Sequence, residues 1–164
     1  MTRKSRKTIF KKKHDVILEI TSVSDEGDMQ AEYDGGLVSV FGAILGETVS
    51  ADVESSYRGS KLLNQVATTT KVIESSPERV DSPCVYFGEC TGCDWQHIKY
   101  DYQLEIKRII VNKNLYYYSS LKNTTIDQIF GAINKFWYRN HARFTVRSSM
   151  LGFVNRYTRK FIQI

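Results

Sequence analysis

The chain has 164 residues, of which 41% are hydrophobic and 25% are charged, and these proportions are ordinary for a folded protein. The length suits one domain or two small ones. No apolar run approaches the roughly 20 residues of a membrane-spanning helix, and the basic N-terminus lacks the apolar core of a secretory signal. We therefore expect a soluble, cytoplasmic protein with no membrane partner.

The net charge of +5 is unevenly distributed. Residues 1–14 carry seven Lys or Arg, residues 132–164 carry seven more, and neither segment contains an acid. Basic ends around an acidic middle indicate a polyanionic partner. Aromatic residues interleaved with the C-terminal cations favour nucleic acid over ordinary surface charge, because cations neutralise phosphates while aromatics stack on bases. The expected contacts are Arg3, Lys4, Arg6, Lys7, Lys11, Lys12, Lys13, Arg139, Arg143 and Arg147.

Residues 15–75 contain short alternating runs that are typical of β-strands. The sequence Asp34-Gly35-Gly36 lies between two such runs and predicts a hairpin. Gly42 and Gly46 are expected in tight turns at positive φ. About five short strands without a convincing helix indicate a small closed barrel.

The second half of the chain begins at a predicted linker around Pro77 and Pro83, which resist strand pairing and helix continuation. The pattern becomes helical from about Tyr100 to Ser119. Its predicted apolar face consists of Tyr100, Leu104, Val111, Leu115 and Tyr118.

The end of the chain predicts antiparallel strands around a turn at Ser148–Ser149. Alternation from residue 143 to 147 predicts one buried face and one solvated, cationic face. The buried face would hold Phe144 and Val146, and the solvated face Arg143, Thr145 and Arg147.

Cys84, Cys90 and Cys93 are the three cysteines of the chain and are spaced C-x5-C-x2-C. In a reducing compartment this spacing favours metal ligands over disulfides. His97 could complete a zinc site, whereas a fourth thiolate from elsewhere could complete an iron–sulfur cluster. The spacing does not separate the two metals. A single catalytic cysteine is a weaker interpretation, because nothing distinguishes one of the three, and three buried core thiols are the plain structural alternative.

The cysteine segment resembles the signature of the S-adenosylmethionine-dependent RNA (uracil-5-)-methyltransferases, in the branch that carries a [4Fe–4S] cluster. Thr91 and Trp95 depart from the usual pattern, but neither change removes a ligand. The matching residues are Cys84, Cys90, Gly92, Cys93, Gln96, His97, Tyr100, Gln103, Leu104 and Lys107.

Two further segments resemble the same family. Residues 24–53 are similar to its N-terminal TRAM domain, an OB-like RNA-binding barrel, through Gly27, Ala31, Gly35, Val40, Gly42, Gly46, Glu47 and Val49, although Met29 and Leu45 depart from it. The last segment resembles the central domain through Tyr138, Arg139, Asn140, Ala142, Arg143, Phe144, Gly152 and Phe153. The resemblance thus implies a β-rich α+β fold: a five-stranded TRAM barrel, then a cysteine loop, a helix and an incomplete antiparallel central domain.

The resemblance also implies a division of the chain and its partners. It gives a basic arm at residues 1–13, a barrel at 14–76, and the iron–sulfur loop with a partial central domain at 77–164. Cys84, Cys90 and Cys93 would bind the [4Fe–4S] cluster, with the fourth cysteine expected beyond Ile164. The Rossmann-like domain that binds S-adenosylmethionine is missing from the sequence. We therefore expect an N-terminal fragment that binds RNA, ribosomal rather than transfer RNA, as a monomer, and transfers no methyl group alone.

A stand-alone RNA-binding protein with a zinc or iron–sulfur loop and no catalytic activity is the alternative. A radical S-adenosylmethionine methylthiotransferase fits less well, because those enzymes use a different cysteine spacing and carry the TRAM domain at the other end.

Overall fold

A computed structural model describes residues 8–90, 92–118, 120–155 and 159–164. The chain divides into two compact units, Met1–Pro77 and Glu78–Ile164. No helix in the described ranges combines the length and the apolar character needed to cross a membrane. In chain order the elements are β1 (Thr8–Val23), β2 (Met29–Tyr33), β3 (Gly36–Phe41), β4 (Thr48–Arg58), β5 (Lys61–Glu74), α1 (Tyr100–Tyr117), β6 (Thr145–Arg147), β7 (Met150–Val154) and β8 (Phe161–Gln163).

The first unit is a closed barrel with the strand order β1-β2-β3-β5-β4. Neighbouring strands are antiparallel except β3 and β5, which run parallel. The predicted five-stranded barrel is therefore confirmed. Its core consists of the buried side chains of the alternating runs, among them Leu18, Ile20, Met29, Ala31, Val38, Val40, Val49, Ala51, Val53 and Ala67.

Three of the five strands are longer than the short strands that the sequence predicted. Strand β1 has 16 residues, β4 has 11 and β5 has 14. The extra length is a continuous antiparallel ladder, in which Thr8 pairs with Arg58 of β4, and Arg58 pairs in turn with Lys61 of β5. Strand β1 therefore runs through the boundary predicted after residue 13, and residues 8–13 are part of the sheet.

The predicted turns of the barrel are confirmed. Asp34 (φ 52°) and Gly35 (φ 77°) both lie at positive φ between β2 and β3, as a tight hairpin requires. Gly42 and Gly46 adopt φ values of 82° and 83° in the connection from β3 to β4. Their left-handed backbone is readily accessible only to glycine.

Glu47 ties three parts of the barrel together. Its side chain is fully buried, and one carboxylate oxygen accepts the Ile44 N–H at 2.9 Å while the other accepts the Ser76 N–H at 3.1 Å. Its backbone carbonyl also accepts the Ile20 N–H of β1 at 2.9 Å. One residue thus joins the start of β4, the segment after β5, and β1.

The second unit contains helix α1, whose extent agrees with the prediction. Its burial differs from the predicted apolar face, because Val111 and Tyr118 are exposed and Ile106 is the buried residue of the helix. Much of the described second unit is exposed chain without regular structure. Little of the unit therefore packs against α1, and only a narrow strip of the helix surface is buried.

The C-terminal strands form a small antiparallel sheet in the order β6-β7-β8. The predicted turn at Ser148–Ser149 is confirmed, with φ values of 47° and 64°. The predicted burial of Phe144 and Val146 is wrong, since their side chains are 45% and 65% exposed. Thr145, which was predicted on the solvated face, is instead the half-buried residue of β6. A three-stranded sheet of such short strands has little layer to bury either face.

We predict that Glu47→Ala lowers the free energy of unfolding by about 2 kcal/mol, because two N–H groups would lose the carboxylate that accepts them. Glu47→Gln should cost less, since it keeps one carbonyl oxygen. Urea denaturation measures both, with the exposed Glu32→Ala as control. A Glu47→Ala variant as stable as the control would contradict the role assigned to this carboxylate.

Candidate functional site

The cysteine loop is closed at its base by backbone pairing. Residues 78–80 run antiparallel to residues 97–99: the Val80 N–H donates to the His97 carbonyl at 3.0 Å, and the Lys99 N–H donates to the Glu78 carbonyl at 2.9 Å. From α1, Gln103 Nε2 donates to the Trp95 and Ile98 carbonyls at 3.0 and 2.9 Å. The predicted linker therefore also forms one side of the loop's base.

Tight turns bring the first two cysteines together. The Phe87 N–H donates to the Cys84 carbonyl at 3.0 Å, and the Cys90 N–H donates to the Tyr86 carbonyl at 2.8 Å. Gly88 lies between them at φ 97°, a conformation that favours glycine. The chain therefore reverses between Cys84 and Cys90.

Two hydrogen bonds are directed at the sulfur atoms. The Gly92 N–H donates to Cys90 Sγ at 3.3 Å, and Gln96 Nε2 donates to Cys93 Sγ at 3.3 Å. The Ser82 hydroxyl fixes the Gln96 amide by donating to its Oε1 at 2.7 Å, and it accepts the Cys84 N–H at 3.3 Å. Donors to sulfur stabilise a thiolate, which is the form that binds metals.

The three thiols share one neighbourhood and differ in exposure: Cys84 is half-buried, Cys90 buried and Cys93 exposed. Although Cys93 is exposed as a residue, partial desolvation of its thiol raises its pKa, and the nearby Cys84 and Cys90 thiols raise it further, while Gln96 and Arg139 oppose the change. The described ranges contain no group of three Cys, His, Asp or Glu already arranged around an ion position. The three thiols are chemically suited to bind a metal as thiolates. In the described ranges they are not already arranged around one ion position.

His97, the alternative zinc ligand, lies in the base of the loop. It is 3% exposed, and its ring centroid is 5.0 Å from that of Phe87. A role for His97 in zinc binding stays a prediction.

Three residues support the loop, although the sequence did not connect any of them with it. Ser82 orients Gln96, as described above. Asn155 is buried, and its Nδ2 donates to the Glu89 carbonyl at 2.6 Å. The Phe153 ring lies so near Gly92 that a Cβ there would be 3.6 Å away. Asn155 and Phe153 are distant in sequence from the cysteines, and only the fold brings them together.

On the barrel, two predicted RNA-binding lysines of β1 lie over tyrosine rings. Lys11 Nζ is 5.0 Å from the centroid of the Tyr57 ring, and Lys13 Nζ is 5.6 Å from that of Tyr33. These distances are within cation–π range. Each pair combines a cation with an aromatic side chain on the barrel surface.

Lys12, between them, is neutralised by acids of β4. Its Nζ lies 3.1 Å from Asp52 Oδ2 and 3.6 Å from Glu54 Oε1, and His14 Nδ1 is 2.9 Å from Asp52 Oδ1. The hydrogen bond to Asp52 raises the pKa of Lys12. Partial burial acts to raise the pKa of Asp52, but the hydrogen bonds with Lys12 and His14 outweigh it and lower that pKa.

The other predicted contacts lie on exposed chain or outside the described residues. Arg139, Arg143 and Arg147 are exposed in the second unit, and the Arg147 guanidinium lies 5.6 Å from the Phe161 ring centroid. Arg3, Lys4, Arg6 and Lys7 lie outside the described residues.

Three curated proteins that are similar to this chain are all named as RNA methyltransferases. An uncharacterized RNA methyltransferase of Caldanaerobacter subterraneus is 31% identical over 151 residues, which cover 90% of this chain and 32% of that protein. The 23S rRNA (uracil(1939)-C(5))-methyltransferase RlmD of Stenotrophomonas maltophilia is 35% identical over 133 residues, 79% of this chain and 29% of that protein. An uncharacterized RNA methyltransferase of Aquifex aeolicus is 36% identical over 87 residues, 53% of this chain and 20% of that protein.

No protein-family model matches the chain. The chain spans about a third or less of the length of these curated relatives. The similarity covers most of the chain itself in the first two comparisons.

We predict that Asp52→Asn destabilises the barrel by less than about 1 kcal/mol at neutral pH, since the ion pairs are partly exposed. Because the pKa of Asp52 is lowered in the folded chain, its stabilisation is present above about pH 4 and is lost as the pH falls through the lowered pKa. The difference between wild type and variant should therefore shrink in acid. Urea midpoints from neutral to acid pH measure it, with Glu32→Gln as control; a pH-independent difference would contradict this assignment.

Proposed function

We propose that this chain, a homologue of RNA methyltransferases, is the RNA-recognition portion of an enzyme that methylates C5 of a uracil in 23S ribosomal RNA with S-adenosylmethionine. The observation that carries the proposal is the 35% identity to a protein named as a 23S rRNA uracil-C5 methyltransferase over 79% of this chain. Lysines paired with tyrosines on the barrel and exposed arginines in the second unit support an RNA-binding role.

In this proposal the chain binds the RNA substrate, and another part of the enzyme transfers the methyl group. Lys11 and Lys13 of β1 neutralise phosphates, and the tyrosine rings beneath them offer apolar surface to bases. Lys12 contributes less, because Asp52 and Glu54 already balance its charge. The arginines of the second unit provide a further set of phosphate contacts.

We further propose that Cys84, Cys90 and Cys93 bind an iron–sulfur cluster, with zinc as the alternative metal. Three cysteine thiols would supply three of the four ligands of such a cluster, and two N–H···S hydrogen bonds would support them. The fourth ligand would have to come from outside these three cysteines. When bound, the cluster would supply a fixed centre that holds the loop in one conformation. The backbone pairing at residues 78–80 and 97–99 holds the two ends of that loop in place.

We predict that Lys11→Ala and Lys13→Ala weaken binding to a 23S rRNA fragment and reduce its dependence on salt, whereas Lys12→Ala has a smaller effect. Each lost phosphate contact should lower the slope of log affinity against log salt by about 0.7 to 0.9. Fluorescence anisotropy at several salt concentrations measures the slope. Point substitutions are preferred to deletion of the arm, because residues 8–13 pair with β4.

Two results would count against this part of the proposal. If Lys12→Ala and Lys11→Ala lowered RNA affinity equally, the acids of β4 would not determine which lysine contacts the RNA. Absence of RNA binding at low salt would overturn the RNA-recognition role itself.

We predict that anaerobic reconstitution of the chain with iron and sulfide gives broad visible absorption, and that Cys84→Ser, Cys90→Ser and Cys93→Ser each reduce the bound iron. Val85→Ser is the matched control, because this side chain is in the same loop and is 90% exposed. Metal analysis measures iron and zinc together. Stoichiometric zinc without iron uptake would favour the zinc alternative with His97.

A further inference from the structure

The second unit contains a cleft of about 830 Å³ next to Cys93. This volume is within the roughly 300–1,000 Å³ range of small-molecule sites. Five aromatic side chains line it: Trp95, Tyr100, Phe136, Trp137 and Tyr138.

Trp137 stands out among them because its side chain is fully exposed and its backbone φ is 54°. A bulky residue in the left-handed region is strained, and a fully exposed side chain gains little burial to offset that cost. An exposed tryptophan at the wall of a cleft leaves its indole ring available to stack on a flat ring of a ligand.

Tyr100 of α1 holds the aromatic segment in place. Its hydroxyl accepts the Ala132 N–H at 2.6 Å, and Lys135 Nζ lies 4.9 Å from its ring centroid. Gly131 sits so close to the helix that a Cβ would be 3.0 Å from the Tyr100 ring and 3.1 Å from Leu104 Cδ1. The segment that carries Phe136 and Trp137 is thus positioned by three contacts to one tyrosine.

The charges of the lining balance. Three cations face the cleft, and so do three carboxylates. Such a lining suits an uncharged aromatic ring better than a phosphate group. Phosphates would find cations outside the lining, at Arg143 and Arg147, which lie in a segment without acidic residues. The cations of the lining are Lys99, Lys135 and Arg139, and the acids are Asp81, Asp94 and Asp101.

We propose that this cleft binds an unpaired base of RNA by stacking on its aromatic wall, an inference that rests on the proposed RNA-recognition function. The base must be unpaired, because the faces of paired bases are hidden within a duplex. Tyr100 acts as a positioning residue for this wall.

The chain offers a direct reporter, since its two tryptophans, Trp95 and Trp137, both line the cleft. A short single-stranded oligouridine should quench tryptophan emission in a saturable way, whereas a duplex of equal length should not. Trp137→Ala should weaken oligouridine binding roughly tenfold, the usual effect of losing one stacked base. Phe130→Ala, an 83% exposed aromatic outside the cleft lining, is the matched control and should bind like wild type.

Tyr100→Phe tests the positioning role, because it keeps the ring beneath Lys135 and removes the hydroxyl that accepts the Ala132 N–H. It should reduce the quenching of Trp137 while leaving thermal stability nearly unchanged. Anisotropy of a labelled oligouridine, measured in parallel, reports RNA binding anywhere on the chain. Anisotropy binding without tryptophan quenching, together with wild-type affinity for Trp137→Ala, would overturn the cleft proposal alone. Absence of binding by both readouts would overturn the proposed function as well.

Discussion

The buried carboxylate of Glu47 is the constraint on which the barrel depends. An ionisable group without solvent contact is costly unless its oxygens are hydrogen-bonded, and here they accept N–H groups from Ile44 and Ser76. These contacts fix where β4 begins and where the chain leaves β5. The long ladder of β1, β4 and β5 extends from that point, and it is this ladder that places Lys11 and Lys13 in a row on the surface.

In the second unit, backbone pairing and the first turn of α1 position the side chains. Backbone pairing between residues 78–80 and 97–99 closes the cysteine loop, and Gln103 of α1 binds the carbonyls at the exit of that loop. Tyr100, at the start of the same helix, holds the aromatic segment. One end of α1 therefore organises both the candidate metal ligands and the aromatic cleft. Apart from α1 and the short strands β6, β7 and β8, the described part of the unit has no named helix or strand.

The barrel could be predicted closely from the sequence, because alternation and glycine turns are local signals. Asp34-Gly35 and Gly42 specify their turns through φ values that few other residues accept. Strand length could not be predicted, since the pairing of Lys11–Lys13 with β4 depends on residues some 40 positions away. The same limit applied to the site. The cysteine spacing indicated candidate metal ligands. The support that Asn155 and Phe153 give to the loop, and the acids that neutralise Lys12, became visible only through tertiary contacts. The burial expected for Val146 failed because alternation alone does not say whether another layer covers the face.

Ultraviolet crosslinking of the chain to 23S ribosomal RNA, followed by mass spectrometry of the crosslinked peptides, tests RNA recognition most directly. RNA recognition by these surfaces predicts crosslinks on β1 around Lys11 and Lys13 and on the segment that carries Phe136 and Trp137. Crosslinks confined to other surfaces, such as the exposed end of α1 at Tyr116 and Tyr117, would contradict it, as would a yield no higher than that of a protein that does not bind RNA.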